Sequence, residues 1–250
     1  MALTTFSDLV GEARERIHVD ALAANLPDDN QPLDQNGSGA KAYAGAVSLY
    51  LALGVSKLAD YSSVLVIWSP TRDQLKTTFS RQALPMTWDF AETNLFAGAA
   101  GDLAVTLLGM NRTVAELGAM KNAYAVQLDA QTQVVSLNRY VSTDPQYYDN
   151  IGYADISDFF YVWLRRSLRD EFSQLLATIA VPKNEELIAA PYRHETRTGA
   201  ETFFLDGMTL VMRNLANSSH QSAPLTIYYA FKQSETETEG TNSTGWELFK

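Results

Sequence analysis

The chain contains no cysteine in its 250 residues. That excludes disulfides and any cysteine-ligated zinc centre. Histidine is scarce as well: His18, His194 and His220 are scattered, give no metal-ligand spacing, and leave no metal expected. Positive charge is in deficit, with 19 Lys and Arg against 29 Asp and Glu for a net charge of −10. DNA affinity is largely phosphate neutralisation by Lys and Arg, so this balance argues against a general nucleic-acid coat. An enzyme, which needs only a local basic face, stays open. No apolar run approaches the roughly 20 residues needed to span a bilayer. The N-terminus lacks a basic segment followed by an apolar stretch, so no secretory signal is visible and a cytoplasmic location is expected. Internal repeats are absent, and the one low-complexity tract, the Glu-rich 234–240, is expected to be a surface loop.

What is present is ample apolar material. At 46% hydrophobic, the chain can build one substantial core or two small ones. Residues 7–24 read as a helix, with Ser7 as N-cap and Leu9, Ala13, Ile17 and Ala21 at helical spacing. A polar, breaker-rich loop follows over 27–39, then a more apolar helix over 40–60 with small residues that permit close packing. Residues 63–68 are short and wholly apolar, the pattern of a buried strand. A helix is expected at 71–80 and another at 101–120. In the second half, 134–143 reads as strand, 157–177 as an aromatic-rich helix, 199–218 as helix and 225–231 as strand. Strand, helix, helix, strand suits an open α/β sheet with ligands at the carboxyl ends of its strands. The expected division is a mostly helical region with one buried strand over 1–120, and an α/β domain over 121–250.

One stretch carries chemistry: Thr143-Asp144-Pro145-Gln146-Tyr147-Tyr148-Asp149-Asn150. With Pro in place of Gln146 it would contain Asp-Pro-Pro-Tyr, the mark of amino-methyltransferases acting on adenine N6 or cytosine N4. An exocyclic amine is a poor nucleophile because its lone pair is delocalised into the ring. An acidic side chain and a backbone carbonyl must accept its hydrogens, and an aromatic ring must hold the base by stacking. Asp144, the Pro145 carbonyl and Tyr147 are those groups in that order.

From Tyr148 the chain continues through Ile151-Gly152-Tyr153-Ala154-Asp155 to Trp163-Leu164-Arg165-Arg166. This run resembles the catalytic region of the adenine-specific DNA methylases that carry a zinc ribbon. Residues 3–10, 81–92, 204–208 and 226–234 are similar to theirs too, so the resemblance covers nearly the whole chain. It implies an S-adenosylmethionine-dependent DNA amino-methyltransferase with an incomplete Rossmann-like α/β sheet and an additional helical N-terminal part. Adenine N6 is the favoured target. Asp144, Pro145 and Tyr147 would be catalytic; Tyr148, Asn150, Lys183 and Arg193 would lie on the substrate side, against DNA with its target adenine flipped out. The family's zinc ribbon and its donor loop, an Asp-Pro-Phe followed by glycines, lie upstream of the part matched here. The family also continues beyond 244–250, so a fragment is expected, with the N-terminal portion of the same enzyme as partner. Gln146 departs from the family pattern: a proline there restricts the preceding residue and removes a backbone donor. The alternative is a non-catalytic remnant or nucleic-acid-binding module of the same fold.

Other candidates carry less. Residues 96–102 resemble a donor loop, but 87–92 before them are too polar for the buried strand such a loop should follow. Arg165, Arg166 and Arg169 suit a solvated, salt-bridged face with Asp170 and Glu171. Lys183, Arg193, His194 and Arg197 form a somewhat stronger phosphate candidate on loops. The block 88–92 has no recognisable chemistry of its own.

Overall fold

The structure is a computed structural model that describes residues 2–81, 83–117 and 124–229, together with the backbone of two short strands at 233–236 and 240–243. The expected helix end at 118–120, the strand end at 230–231 and the segment 244–250 lie outside the described residues, as does Gln82. The chain divides into two compact units: residues 1–121 with 156–181, and residues 122–155 with 182–250. The sequence reading placed one boundary near 120 and kept 156–181 with the second half.

Unit 1 is built on helices α1 (Ala2–Ala23), α2 (Ala40–Ala59), α3 (Leu103–Glu116) and the greater part of α4 (Tyr153–Leu168). Helix α1 starts earlier than its sequence cap suggested. Leu3, Ser7 and Val10 form one buried face, so Ser7 is an interior residue and not an N-cap. Along α2, Ala40, Ala44, Ser48, Ala52, Val55 and Ala59 are buried, a small-residue face that recurs every three or four residues. By length and composition α2 is apolar enough to cross a bilayer, which the sequence reading had not seen in any run. Half of it is buried against its own unit, as in a core helix. Asp102 caps α3, its carboxylate accepting from Ala104 N at 2.7 Å. The core gathers Val10, Ala52, Val55, Leu58, Leu168 and Leu176, with Phe159, Phe160 and Trp163 packed on it.

Helix α4 ends at Leu168, short of the expected 177, and two further expectations in unit 1 fail. The apolar run 63–68 is not a buried strand: it turns at its start, where Ser63 accepts from Leu65 N through Oγ at 3.1 Å and from Val66 N through its carbonyl, and only Trp68 enters a strand. Val66 is buried, while Val64, Ile67 and Trp68 are exposed. Residues 71–80 are not helical either. Strand β1 (Trp68–Ser69) pairs antiparallel with β2 (Gln74–Leu75), and Asp73 at φ 49° turns the chain between them. Pro70 and the left-handed Asp73 favour that turn over a helix.

Unit 2 hangs on α5 (Arg197–Ser218), capped by the Thr196 side chain. Ala200, Phe204, Met208, Val211 and Leu215 line its buried face at spacings of three and four, and Val141, Tyr148 and Leu225 pack there. Strand β3 (Ser142–Thr143) pairs in parallel with β4 (Thr226–Ile227), Ser142 opposite Thr226 and Thr143 opposite Ile227. Both strands are far shorter than the runs 134–143 and 225–231 suggested. Ahead of β3, Gln133 binds Ser136 through both side-chain termini, and Asn138 sits at φ 55°, so those residues turn. Strands β5 (Gln233–Thr236) and β6 (Gly240–Ser243) form an antiparallel pair where a surface loop was expected. The unit thus mixes helix and strand, with one parallel pair. Among the described residues no sheet exceeds two strands.

Phe204 is fully buried and meets the ring of Tyr148 edge-on. Phe204→Ala should lower stability by about 3–5 kcal/mol. Urea unfolding followed by circular dichroism measures it, and a loss below ~1 kcal/mol would contradict this packing.

Candidate functional site

The Asp-Pro motif sits directly at the carboxyl end of β3. The parallel pair extends one bond beyond its last paired residues, Tyr228 N donating to Thr143 O at 2.8 Å. Asp144 is exposed at this point, and Pro145, Gln146 and Tyr147 follow half-buried. With Tyr153 these four residues line a half-open cavity of about 220 Å³. That is below the ~300–1,000 Å³ typical of drug-sized sites, and suits one ring.

Two adjacent tyrosines diverge. Tyr148 is the anchor: its N–H donates to the Tyr229 hydroxyl at 2.9 Å and its carbonyl accepts from Ala189 N at 2.7 Å. Its hydroxyl donates to Glu201 at 2.9 Å. Burial, reinforced by that carboxylate, pushes its pKa up to about 12. Tyr147 turns the other way, its ring 5.2 Å from that of Tyr229 and its hydroxyl bonded to the Asp144 carboxylate. That bond, then burial and the negative charge, raises the Tyr147 pKa. A carboxylate has roughly four lone-pair sites, so Asp144 retains acceptor capacity beside Tyr147.

Gln146 closes the loop. Its side-chain amide donates to the Ile151 carbonyl at 2.5 Å, spanning the turn that Asp149 and Asn150 make. Beyond that turn a second cavity, of about 410 Å³, is lined in part by Tyr148, Asn150, Tyr192 and Arg197. The catalytic candidates Asp144, Pro145 and Tyr147 are therefore together, and Tyr148 and Asn150 face the second cavity.

The proposed phosphate contacts fare differently. Arg193, whose side chain is only 10% exposed, reaches Asp155 at 2.6 Å and Glu186 at 2.8 Å, and donates to the Lys183 carbonyl. Burial works against its charge, and the two carboxylates outweigh burial and raise its pKa. Arg193 is thus committed inside the unit and presents no free guanidinium to a phosphate, the reverse of its expected substrate role. Lys183 contributes its carbonyl to the same knot. His194 stacks on Phe203, and Arg197 pairs with Glu201 at 3.1 Å. Among the arginines of α4, Arg166 forms a two-pronged pair with Asp8 and Arg165 donates to the Leu176 carbonyl. A salt-bridged face was expected, though with other partners.

Sequence reasoning missed Tyr153, Asp155, Glu186 and Tyr229. Asp155 and Glu186 hold the far end of the loop, with Ala154 N donating to Glu186 and Tyr192 donating to Asp155. Their only sequence signal is local excess acid around a lone Arg, which distance along the chain conceals.

The loop 96–102 does not fit a methyl donor. Gly98 and Gly101 have φ of 69° and 92°, but Gly98 N donates to the buried Asp102 carboxylate at 2.9 Å, and Gly101 abuts the Thr93 side chain. The Gly98 amide thus serves the cap of α3 and is not free for a ligand. Groups of three or more metal-ligating side chains do not occur among the described residues. Comparison with protein-family models, curated proteins and solved structures found no match for the chain.

Two outcomes follow. Gln146→Pro forfeits the Ile151 bond, about 0.5–1.5 kcal/mol, against a gain of about 0.4–1 kcal/mol from stiffening the unfolded chain. Its stability should stay within ~1 kcal/mol of the parent in chemical denaturation. Arg193→Gln strands two carboxylates, one of them well exposed, so roughly 2–3 kcal/mol should be lost. Burial raises the Asp155 pKa, but the bonds from Tyr192 and Arg193 outweigh it and the net shift is downward. The stability it contributes is complete above the ordinary carboxylate pKa of ~3.9 and is lost as pH falls through the depressed value. The gap between parent and Arg193→Gln in unfolding at neutral pH should therefore narrow in acid.

Proposed function

We propose that the 144–150 loop is the target-base side of an S-adenosylmethionine-dependent DNA amino-methyltransferase, with adenine N6 as target. The observation that carries this reading is the convergence of Asp144, Pro145 and Tyr147 on one ring-sized cavity at the carboxyl end of a parallel strand. Ligands in α/β folds bind at that end. In this reading β3 and β4 belong to a Rossmann-like sheet. A flipped adenine enters the cavity, Asp144 accepts one amino hydrogen, the Pro145 carbonyl accepts the other, and Tyr147 stacks on the ring. The lone pair of N6 is thereby localised for attack on a methyl group. Since the Gly98 amide of 96–102 is not free for a ligand, we place the donor-holding groups in an upstream portion of the same enzyme. The DNA partner is met through its extruded base more than through its phosphates.

A second reading has one observation in its favour. Gln146 bonds Ile151, fixing a loop conformation in which the aim of the Pro145 carbonyl is not enforced by a following proline. That suits a non-catalytic, nucleic-acid-binding module of the same fold.

Tritiated methyl transfer to unmethylated DNA separates the readings. With the upstream portion supplied, transfer is expected, strengthened by Gln146→Pro and abolished by Asp144→Ala; the chain alone should transfer nothing, with or without Gln146→Pro. Transfer that survives Asp144→Ala would refute the proposed role, and none under any condition would favour the binding module.

A further inference from the structure

The cavity beyond the Asp149–Asn150 turn has no part in the chemistry proposed above. At about 410 Å³ against 220 Å³ it is larger than the target-base cavity, with room for a base and its sugar. The two adjoin: Tyr147 lines the first and Tyr148 the second, and consecutive Cα atoms are only about 3.8 Å apart. Its far wall is Ile188, Ala189 and Ala190, all buried. Backbone bonds fasten that wall on both sides, Ala189 N donating to Tyr148 O at 2.7 Å and Arg193 N to Ala190 O at 3.0 Å. The walls are therefore preformed.

Three side chains of the lining face solvent with ligand chemistry. Tyr192 is 72% exposed, yet its ring is held in place. The hydroxyl donates to Asp155 at 2.6 Å, and the Arg193 guanidinium lies over the ring, 5.5 Å from its centre. Ordering a free side chain on binding costs entropy, and a ring already fixed avoids that cost. The Asn150 side chain is exposed and has no hydrogen-bond partner among the described residues, so its donors and its acceptor are open. The Arg197 side chain is 80% exposed, and its pair with Glu201 is a surface contact of little strength.

These groups select among ligands. Among the described residues of the lining, Asp149 and Arg197 are the only charges, and they are of opposite sign. A small anion or cation therefore gains no net attraction. A planar ring whose edge carries both donors and acceptors matches the lining. It stacks on Tyr192 or on the Arg197 plane and pairs with the Asn150 amide, as unpaired bases do with these residue types.

We propose that this cavity takes the base next to the flipped target in an unpaired strand, with Tyr192 as its stacking platform and Asn150 at its edge. The proposal rests on the target-base reading of the 144–150 loop and adds that the same strand is gripped at a second nucleotide. The test uses the chain itself and single-stranded thymidine oligonucleotides holding one adenine. One probe carries 2-aminopurine, whose emission reports stacking, in place of that adenine; two others carry it immediately on the 5′ or the 3′ side. One flanking probe should change emission saturably, and Tyr192→Ala should weaken that response about tenfold. Tyr192→Phe, which keeps the ring, should bind distinctly better than Tyr192→Ala. Should Tyr192→Ala not fold, the exposed Asn150→Ala decides, with an expected loss of about fivefold. Silence from both flanking probes while the adenine position responds overturns this inference alone, as does a flanking response that the Tyr192 and Asn150 variants leave unchanged. A flanking response with none at the adenine position keeps the second cavity as a base site and overturns the target-base reading. Silence from all three overturns both.

Discussion

Unit 1 depends on how closely other groups approach the backbone of α2. At Gly45 a Cβ would collide with the Glu171 carboxylate, and at Gly54 it would crowd Leu107 of α3. Those two glycines weaken the helix by roughly 1 kcal/mol each relative to alanine. What offsets this is interior packing, in which many weak contacts accumulate only when surfaces meet without gaps. Glu171, buried beside Gly45, also accepts from Leu33 N at 3.3 Å and lies 3.9 Å from Arg14. One close approach thus ties α2 to the 27–39 loop and to the segment after α4. A larger residue at position 45 would displace a carboxylate whose partners, Leu33 N and Arg14, lie in two other parts of the chain.

Unit 2 follows a different logic. Its motif loop is fastened at the middle, where Tyr148 is held by its amide, its carbonyl, its ring and its hydroxyl, and again beyond Gly152 by the Arg193 knot. The residues before Tyr148 are left to face outward. Binding sites gain from this division, because a rigid frame positions groups whose own side chains stay available. Tyr147 and Tyr148 show it within two positions: one faces the ring-sized cavity and the other the core of α5.

The helices were legible because a buried helical face writes itself at intervals of three and four residues, as Ala200, Phe204, Met208, Val211 and Leu215 do in α5. Strands β3 and β4 were legible in place but not in length, and β2, β5 and β6 were not foreseen. A two-residue strand such as Ser142–Thr143 exists only because Thr226–Ile227 lies beside it, and no local pattern encodes a neighbour some eighty residues away. The 63–68 run misled for the complementary reason. Its apolar content matched a buried strand, yet only its last residue, Trp68, is paired, and Ser63 hydrogen-bonds its start into a turn. At the motif, Asp144, Pro145 and Tyr147 were readable because they are contiguous. Arg193 was misread, since beside Lys183, His194 and Arg197 it looks like a phosphate contact until Asp155 and Glu186 are brought to it.

Charge explains what kind of DNA contact the proposed function can make. Arg14, Arg165, Arg166, Arg193 and Arg197 each have an acidic or carbonyl partner within the protein. In a chain of net charge −10 those five are engaged within the protein, which reduces what is left to displace counterions from a duplex. What the motif loop itself can contribute is stacking by Tyr147 and hydrogen-bond acceptance by Asp144 and Pro145. Under the proposed function both would act on a base already out of its helix, as at a mismatch or in a single strand. The acidic balance and the small, open cavity therefore point the same way. Under the proposed function, this loop would read a base presented to it by other groups.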